Sequence, residues 1–139
     1  MKNRRTKVSD SIANLVALYG KRPSDADLAV EREVYGVNAG IVSYTTPAQA
    51  EELAAALNVR PGMRVLEIGA GSGWPGILLV NHTGCDAVLT DVPVPALRGA
   101  VRRGKGDGVI SRLSFAVASG TNLPFIPKSF DAVVHSDVL

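Results

Sequence analysis

The sequence predicts an α/β fold built around a mostly parallel sheet. Two observations carry this prediction. From Met63 onward, short apolar runs alternate with segments of helical spacing, and a glycine-rich turn joins the first apolar run to a helix. The chain of 139 residues is long enough for one hydrophobic core and too short for a second independent core. With 46% hydrophobic and 20% charged residues, its composition excludes an intrinsically disordered chain.

Residues 1–60 are predicted to be helical and to form an N-terminal extension to the α/β part at residues 61–139. Apolar residues recur at helical spacing from Ile12 to Tyr19. A second helix is predicted to start after Ser24 as its N-cap, and a third after Thr46. Thr46 is followed by a proline and, three residues on, by a glutamine, which is the pattern of a capping box. We expect this extension to act as a lid.

Four short strands are predicted in the α/β part, because each is an apolar run bounded by turn or polar residues. They cover Val65–Ile68, Ala87–Thr90, Leu113–Ala118 and Phe130–His135. One helix is predicted to open near Pro75 and another to cover residues 95–103.

Charge and cysteine usage exclude several classes of protein. The formal net charge of +2 is too small to indicate a nucleic-acid-binding protein. The basic side chains in and just after the predicted helix at residues 95–103 are expected to face solvent, with RNA binding as their weaker alternative: Arg98, Arg102, Arg103 and Lys105. The single cysteine, Cys85, cannot form an internal disulfide, which fits a reducing, cytoplasmic setting. No apolar run approaches 18 residues, so no membrane span is expected. His82 and Cys85 lack metal-ligand spacing, so no metal is expected either.

Three glycines, Gly69, Gly71 and Gly73, alternate directly after the first predicted strand. Without a Cβ, the backbone can adopt unusual dihedral angles and approach a ligand closely. Amides at the start of the following helix also favour polar or anionic ligand groups. A tight turn without any ligand is the alternative, but it requires fewer glycines. The pattern therefore indicates a ligand-binding turn.

Two kinds of cofactor compete for such a turn. A dinucleotide site requires G-x-G-x-x-G directly after the strand, and counting from Gly69 the sixth position is Trp74. A match that starts at Gly71 begins two residues too late. The other pattern, acid-x-Gly-x-Gly-x-Gly, is complete from Glu67 to Gly73. An NAD(P)-dependent oxidoreductase is thus the weaker alternative.

At this point, the sequence resembles the class I S-adenosylmethionine-dependent methyltransferases. The run Leu57–Gly73 is similar to the entry into the first motif of their small-molecule group, which is typified by quinone-biosynthesis enzymes, and the resemblance covers roughly residues 45–139. It implies a Rossmann-like methyltransferase fold with S-adenosylmethionine, or the product S-adenosylhomocysteine, as ligand. It also implies direct transfer of a methyl group to an O, N or C atom of a small molecule.

The resemblance implies cofactor contacts in the glycine turn, at the ends of other strands and in the N-terminal extension: Glu67, Gly69, Ala70, Gly71, Gly73, Asp91, Val92, Ser119, Gly120, His135 and Tyr44. Glu67 is expected to orient the turn or the methionine amino group. Asp91 falls where the family's acid accepts hydrogen bonds from both ribose hydroxyls, and a helix cap is its alternative role. Ser119 replaces the family's usual aspartate near the adenine. Its hydroxyl lacks charge assistance, and an ordinary turn residue is the alternative.

The end of the fourth predicted strand should face the transferred methyl group. His135, with Asp137 nearby, is a weak candidate for a catalytic base, and a structural histidine is the alternative. Residues 136–139 lack the two prolines and the aromatic residue typical of enzymes that methylate planar amide or nucleobase nitrogens. Residues 35–46 are expected to fold over the cofactor. Tyr35 or Tyr44 then packs on the cofactor or fills the core.

The family's complete sheet has seven strands in the order 3-2-1-4-5-7-6, and this sequence stops just after the fourth. The fourth strand would then present an apolar edge rich in Val133, Val134, Val138 and Leu139. We expect a fragment of a longer enzyme, or an edge completed by a second copy or a partner chain, or an edge covered by the N-terminal helices. A non-catalytic, cofactor-binding partner subunit is the alternative function.

Overall fold

The computed structural model describes residues 2–138, with the side chains of residues 9–138. Within this range five helices and four strands follow one another along the chain: α1 (Lys2–Gly20), α2 (Asp25–Tyr35), α3 (Pro47–Ala56), β1 (Arg64–Ile68), α4 (Gly76–Thr83), β2 (Asp86–Asp91), α5 (Val94–Gly106), β3 (Leu113–Val117) and β4 (Ala132–His135). A short 3-10 turn at Ile110–Arg112 leads into β3. No helix in this range is long and apolar enough to cross a membrane.

All four strands are parallel and lie in the order β3-β2-β1-β4. The predicted α/β class and the predicted strand order are confirmed. Val65 of β1 lies opposite Ala87 of β2 on one side and Ala132 of β4 on the other. The strand order therefore reverses beside β1. In open α/β sheets, ligands bind at the carboxyl ends of the strands at such a reversal, which is where the glycine turn begins.

The main core lies between one face of the sheet and helices α4 and α5. Its fully buried side chains include Val65, Ile77, Leu79 and Leu89. Removing apolar side chains of this size from water stabilises the fold by about 2 kcal/mol each. The sheet and its two helices therefore form a firm base for the turn.

The N-terminal helices are much more exposed. α2 has no buried residue, and Leu15 and Leu18 of α1 are 40% and 54% exposed. Both predicted N-caps are confirmed, with Ser24 and Thr46 each accepting from the amide three residues on. The capping box predicted at Thr46 is present, and Ser24 forms one as well. α1 packs against α5, and α3 packs against α4. This part of the chain is therefore an outer layer on the same side as the helices of the core.

Two predicted boundaries are wrong by two or three residues, and the others given as residue ranges lie within one residue of the observed ends. α5 continues through Gly106 instead of ending at Arg103, because Gly104 lets the helix pack closely on Leu113. β4 begins at Ala132 instead of Phe130, whose ring lies edge-on to Phe125 at 5.0 Å between the ring centroids. Residues 130 and 131 thus belong to the loop before the strand.

Within the described range, β4 pairs only with β1 and is the outermost strand on that side. Val133 is 54% exposed and Val138 is 43% exposed, while Val134 is buried. The expectation that Val134 lies on the exposed edge is therefore wrong, because its side chain packs into the core. The fourth member of the predicted apolar edge, Leu139, lies outside the described residues. Among the described residues, α1 packs against α5 and α3 packs against α4. The expectation that the N-terminal helices cover the edge of β4 is therefore not met.

Candidate ligand-binding site at the glycine turn

The turn after β1 uses three left-handed glycines. Gly69, Gly71 and Gly73 have φ angles of +71°, +53° and +92°, which side chains with a Cβ rarely adopt. The amides of Gly69 and Ala70 donate to the carbonyl of Thr90 at 2.8 and 3.0 Å. The turn is thereby fixed to the end of β2, and its open face points away from the core.

Asp91 ends β2 and holds the same turn with its carboxylate. The amide of Gly71 donates to Oδ2 at 2.6 Å, and the amide of Val92 donates to Oδ1 at 2.7 Å. Each oxygen therefore has one backbone donor. Because a carboxylate has about four acceptor positions, both oxygens can still accept from a ligand. Asp91 is half-buried, and its structural contacts are compatible with the ligand role.

Glu67 is buried beneath the turn rather than exposed within it. Its Oε2 accepts from the amide of Gly76 at 3.1 Å, which ties β1 to the start of α4. Its Oε1 is buried without a hydrogen-bond partner among the described residues. Burial raises the pKa of Glu67 to about 8, against opposing effects of the Gly76 hydrogen bond and Arg103. Glu67 thus links β1 to the start of α4 from below the turn.

Tyr19 of α1 lies on the open face of the turn, a position that the sequence did not reveal. A Cβ at Gly71 would stand 2.7 Å from the Tyr19 hydroxyl oxygen. Burial raises the pKa of Tyr19, and the nearby Asp91 carboxylate raises it further. Val138, beyond the end of β4, lies in the same way against Gly69. Helical spacing identified Tyr19 as an apolar-face residue, but nothing in the spacing distinguishes a cleft wall from a core residue.

A narrow cleft lies above the turn, and its free space of about 20 Å³ is little more than one water molecule occupies. Its walls come from α1, the turn, the segment before α3 and the end of β4: Tyr19, Gly40, Val42, Ser43, Gly69, Ala70, Gly71, Ser72, Trp74 and Ser136. Residues far apart in the chain thus meet at the carboxyl ends of the strands. Trp74 is buried and is both a wall of the cleft and a packing residue against Ala39 and Ala50.

We call residues 37–46 the strap, because they run over the turn from the end of α2 to the start of α3. Glu31 fixes one end, since its Oε1 accepts from the amides of Ala39 and Ile41 at 3.0 and 2.6 Å. Trp74 fixes the other end by donating from Nε1 to the carbonyl of Thr45 at 3.0 Å. The strap therefore lies where residues 35–46 were expected to cover a ligand.

The tyrosines of that segment are not the residues that reach the cleft. Tyr44 is 92% exposed, and its contact with the end of β4 is made by its backbone amide, which donates to Asp137. Tyr35 is half-buried and does not line the cleft either. Among the described side chains, Tyr19 is the tyrosine that does. The tyrosine at the cleft is therefore Tyr19 and neither of the two expected from the sequence.

Besides Tyr44, seven predicted contact residues lie outside the cleft lining: Glu67, Gly73, Asp91, Val92, Ser119, Gly120 and His135. Asp91 adjoins the lining through its hydrogen bond with the Gly71 amide. Ser119 and Gly120 are exposed after β3, and the Ser119 hydroxyl lies 2.9 Å from that of Thr121. His135 is exposed at the end of β4, opposite Ile68 of β1. At the same end it is Ser136 whose side chain reaches the cleft. His135 therefore has no contact in this structure that supports a role as base.

Arg103 corrects the expectation that the basic residues of α5 all face solvent. Its Nη1 donates to the carbonyl of Ser72 at 2.8 Å, and its Cδ lies 3.5 Å from where a Cβ of Gly40 would stand. Burial lowers the pKa of the guanidinium, while Asp107 and Glu31 favour its charged form. Arg103 thus joins α5 to both the turn and the strap. Among the described side chains, no cluster of three or more His, Cys, Asp or Glu has the arrangement of a metal site.

Two curated relatives are similar to part of the chain. Methyltransferase GfsG of Streptomyces halstedii is 34% identical over 83 residues, which are 60% of this chain and 30% of that protein. The ubiquinone/menaquinone biosynthesis C-methyltransferase UbiE of Xylella fastidiosa is 34% identical over 84 residues, which are 59% of this chain and 33% of that protein. The chain therefore spans about a third of the length of these relatives.

Two solved structures share the fold. The SAM-dependent methyltransferase from Thiobacillus denitrificans, in complex with S-adenosyl-L-homocysteine, covers 76% of this chain and 42% of its own, with a TM-score of 0.62 at 23% identity. That from Geobacter sulfurreducens, in complex with the same compound, covers 56% and 31%, with a TM-score of 0.52 at 31% identity. The family model described as a methyltransferase domain matches residues 65–139, more than half of the chain. The chain therefore belongs to the methyltransferase domain family.

Proposed function

We propose that this chain binds S-adenosylmethionine on the glycine turn and is the cofactor-binding part of a methyltransferase for a small molecule. The observation that carries the proposal is the turn itself. Three left-handed glycines follow a buried acid, and Asp91 lies beside them with both carboxylate oxygens able to accept further hydrogen bonds. A nucleoside ribose presents two neighbouring hydroxyls, which a carboxylate can bind with one oxygen each.

The shape of the cleft supports a ligand that enters by displacing side chains. The free space in the cleft, about 20 Å³, is far below the volume of about 300–1,000 Å³ that small-molecule sites enclose. Tyr19 and Val138 lie directly on Gly71 and Gly69, where a ligand against the turn would lie. We therefore propose that both side chains move aside on binding. Val138 is 43% exposed and Tyr19 comes from an outer helix, so neither movement disturbs the core.

The cofactor would supply an electrophilic methyl group, and the residues of the chain would hold it in place. Gly69 and Gly71 let a ligand approach the backbone, and Asp91 fixes its ribose. Ser136 stands at the strand end that faces the reacting groups. Rate enhancement then comes chiefly from proximity and alignment of the methyl group with its acceptor. We assign no base, since His135 is exposed outside the cleft lining.

A small-molecule acceptor is part of the proposal. The similarity to UbiE, named as a quinone-biosynthesis C-methyltransferase, supports this class of acceptor. The end of β4 supports it as well, because Ser136–Val138 lacks the prolines and aromatic residue typical of enzymes acting on nucleobase nitrogens. We also propose a cytoplasmic location, on the single buried cysteine, and pairing with a second copy along the edge of β4.

Calorimetric titration with S-adenosylhomocysteine tests the cofactor proposal. We expect binding in the micromolar range that weakens at least tenfold, about 1.4 kcal/mol, in Asp91→Ala. Asp91→Asn keeps one acceptor for a backbone amide and should fall between the two. The matched control is Asp107→Asn, an exposed aspartate at the end of α5, which should bind like the wild type. Thermal melts show whether each variant is folded.

The same titration with NAD separates the alternatives. Heat with NAD and none with S-adenosylhomocysteine would overturn the proposal in favour of an oxidoreductase. Binding of S-adenosylhomocysteine without methyl transfer to any quinone-like phenol would instead favour a non-catalytic, cofactor-binding subunit.

A further inference from the structure

We propose that Asp137 is a positioning residue that latches the strap across the cofactor cleft. This inference rests on the proposed function, because it assigns the strap as the wall that holds the cofactor against the turn. The latch joins the segment after β4 to the segment before α3, which are more than 90 residues apart in the chain. Asp137 acts through the strap and does not itself line the cleft.

The carboxylate of Asp137 binds the strap through two donors. The Ser43 hydroxyl donates to Oδ2 at 2.6 Å, and the Tyr44 amide donates to the same oxygen at 2.8 Å. Asp137 has a φ of +57°, a left-handed conformation that aspartate tolerates better than most residues. The extended backbone of β4 therefore ends before Asp137, the residue whose carboxylate accepts the hydrogen bonds of the strap.

A second set of hydrogen bonds links the same two segments. The Ser136 hydroxyl lies 2.8 Å from that of Ser43 and 2.6 Å from that of Thr45. Ser136 and Ser43 both line the cleft. The latch therefore closes a ring of hydrogen bonds around one side of the cleft, and its loss would release the wall residue Ser43.

The other attachments of the strap show why Asp137 is needed. Glu31 holds the strap at Ala39 and Ile41, and Trp74 holds it at Thr45. At the first attachment, the Arg103 side chain also lies beside Gly40. Between the two attachments, Ser43 contacts a carboxylate only at Asp137 among the described residues. Without this contact, the hydrogen bond that still ties Ser43 to the segment after β4, among the described residues, is the one between its hydroxyl and that of Ser136.

The chemistry of Asp137 suits a latch better than a base. Hydrogen bonds from Ser43 and from the Tyr44 amide hold the pKa of Asp137 below its usual range, so the carboxylate is charged at neutral pH. Charge-assisted hydrogen bonds are the stronger kind. A carboxylate whose pKa is lowered and whose Oδ2 already accepts from two donors is a poor proton acceptor.

The first test is a double-mutant cycle read by titration with S-adenosylhomocysteine. Asp137→Ala and Ser43→Ala should each weaken binding about fivefold, and the double variant should be no weaker than Asp137→Ala within about twofold. Asp137→Asn keeps an acceptor oxygen and tolerates the left-handed backbone, so it should lie between wild type and Asp137→Ala. Asp25→Ala, an exposed aspartate in the first turn of α2, is the matched control.

The second test needs no ligand. Hydrogen exchange followed by mass spectrometry should show faster exchange of residues 37–46 in Asp137→Ala, with α4 unchanged. If wild type binds S-adenosylhomocysteine and Asp137→Ala has the same affinity and the same exchange, the latch is wrong while the proposed function stands. If wild type does not bind, the proposed function fails, and the exchange experiment still decides whether the latch exists. Asp137→Asn and Ser43→Ala carry both tests if Asp137→Ala does not fold.

Discussion

The two faces of the glycine turn differ in what they contact. On the core side, a Cβ at Gly73 or Gly76 would collide with fully buried parts of the fold, namely the Ile77 side chain and the Leu89 and Glu67 side chains. On the cleft side, Gly71 and Gly69 meet single side chains from α1 and from the segment after β4. The shape of the turn is therefore fixed from the core, whereas its open face is covered by outer segments.

The same contrast separates α4 from α2. Ile77, Leu79 and Val80 of α4 are at most 1% exposed, while α2 contributes no buried residue and reaches the site through the hydrogen bonds of Glu31. Burial of apolar area dominates stability, whereas a single hydrogen bond contributes about 1 kcal/mol. Substitutions on the core side should thus change the free energy of unfolding, and substitutions on the cleft side should change ligand affinity.

The largest expected change in the free energy of unfolding is that of Gly73→Ala, which adds a methyl group on the core side of the turn. Its Cβ would collide with Ile77 and stand 3.3 Å from the Cβ of Ala100, and its φ of +92° is strained for alanine. Overpacking and the left-handed backbone together should lower the free energy of unfolding by about 4 kcal/mol, measured by urea denaturation.

Gly62→Ala is the control that separates strain from packing. Gly62 has a similar φ of +87°, but nothing lies within 4 Å of the position of its Cβ. It should cost only about 1 kcal/mol, the penalty of the backbone alone. Equal losses for the two variants would show that the core side of the turn is not closely packed.

The next largest effect concerns Glu67, the buried acid of the core side. Burial raises its pKa from 4.5 to about 8, so the folded state holds a proton that the unfolded state releases between these values. Stability should fall as the pH rises through this window, because the native state binds more protons there. Glu67→Gln keeps an acceptor for the Gly76 amide but does not titrate. At pH 9 it should therefore be more stable than wild type by on the order of 3 kcal/mol.

Urea denaturation of both proteins from pH 5 to pH 9 measures this difference directly. The two should be similar in stability at pH 5 and diverge as the pH increases. Glu33→Gln, an exposed position on α2, is the control and should follow the wild-type curve. A constant difference between Glu67→Gln and wild type across this range would show that Glu67 is ionised throughout.

The core side of the molecule could be predicted well from the sequence, because its signals are local. Alternating apolar runs predicted the parallel strands, and the spacing of Gly69, Gly71 and Gly73 predicted the turn. The N-caps Ser24 and Thr46 were equally clear, since capping depends on residues only three positions apart. Each of these features is decided within a few residues of the chain.

The cleft side could not be predicted in the same way, because its contacts join distant segments. Tyr19 reaches Gly71 across about 50 residues, and Ser43 reaches Asp137 across 94. Tyr44, which the sequence suggested, is 92% exposed, and its backbone amide instead donates to Asp137. Which tyrosine faces the cleft depends on how α1 packs on α5, and residue spacing alone does not determine that packing.

The smallest expected effect tests Arg103, which joins the two sides. Its guanidinium binds the Ser72 carbonyl of the turn, and its aliphatic part lies beside Gly40 of the strap. Arg103→Met keeps an aliphatic chain there but loses the donor, so the free energy of unfolding should fall by about 1 kcal/mol. Arg102→Met, its exposed neighbour, should change stability by no more than about 0.5 kcal/mol in the same urea denaturation. If Arg103→Met lowers the free energy of unfolding as much as Gly73→Ala does, the strap belongs energetically to the core. If both arginine variants leave the free energy of unfolding unchanged, the Ser72 contact does not connect the two sides.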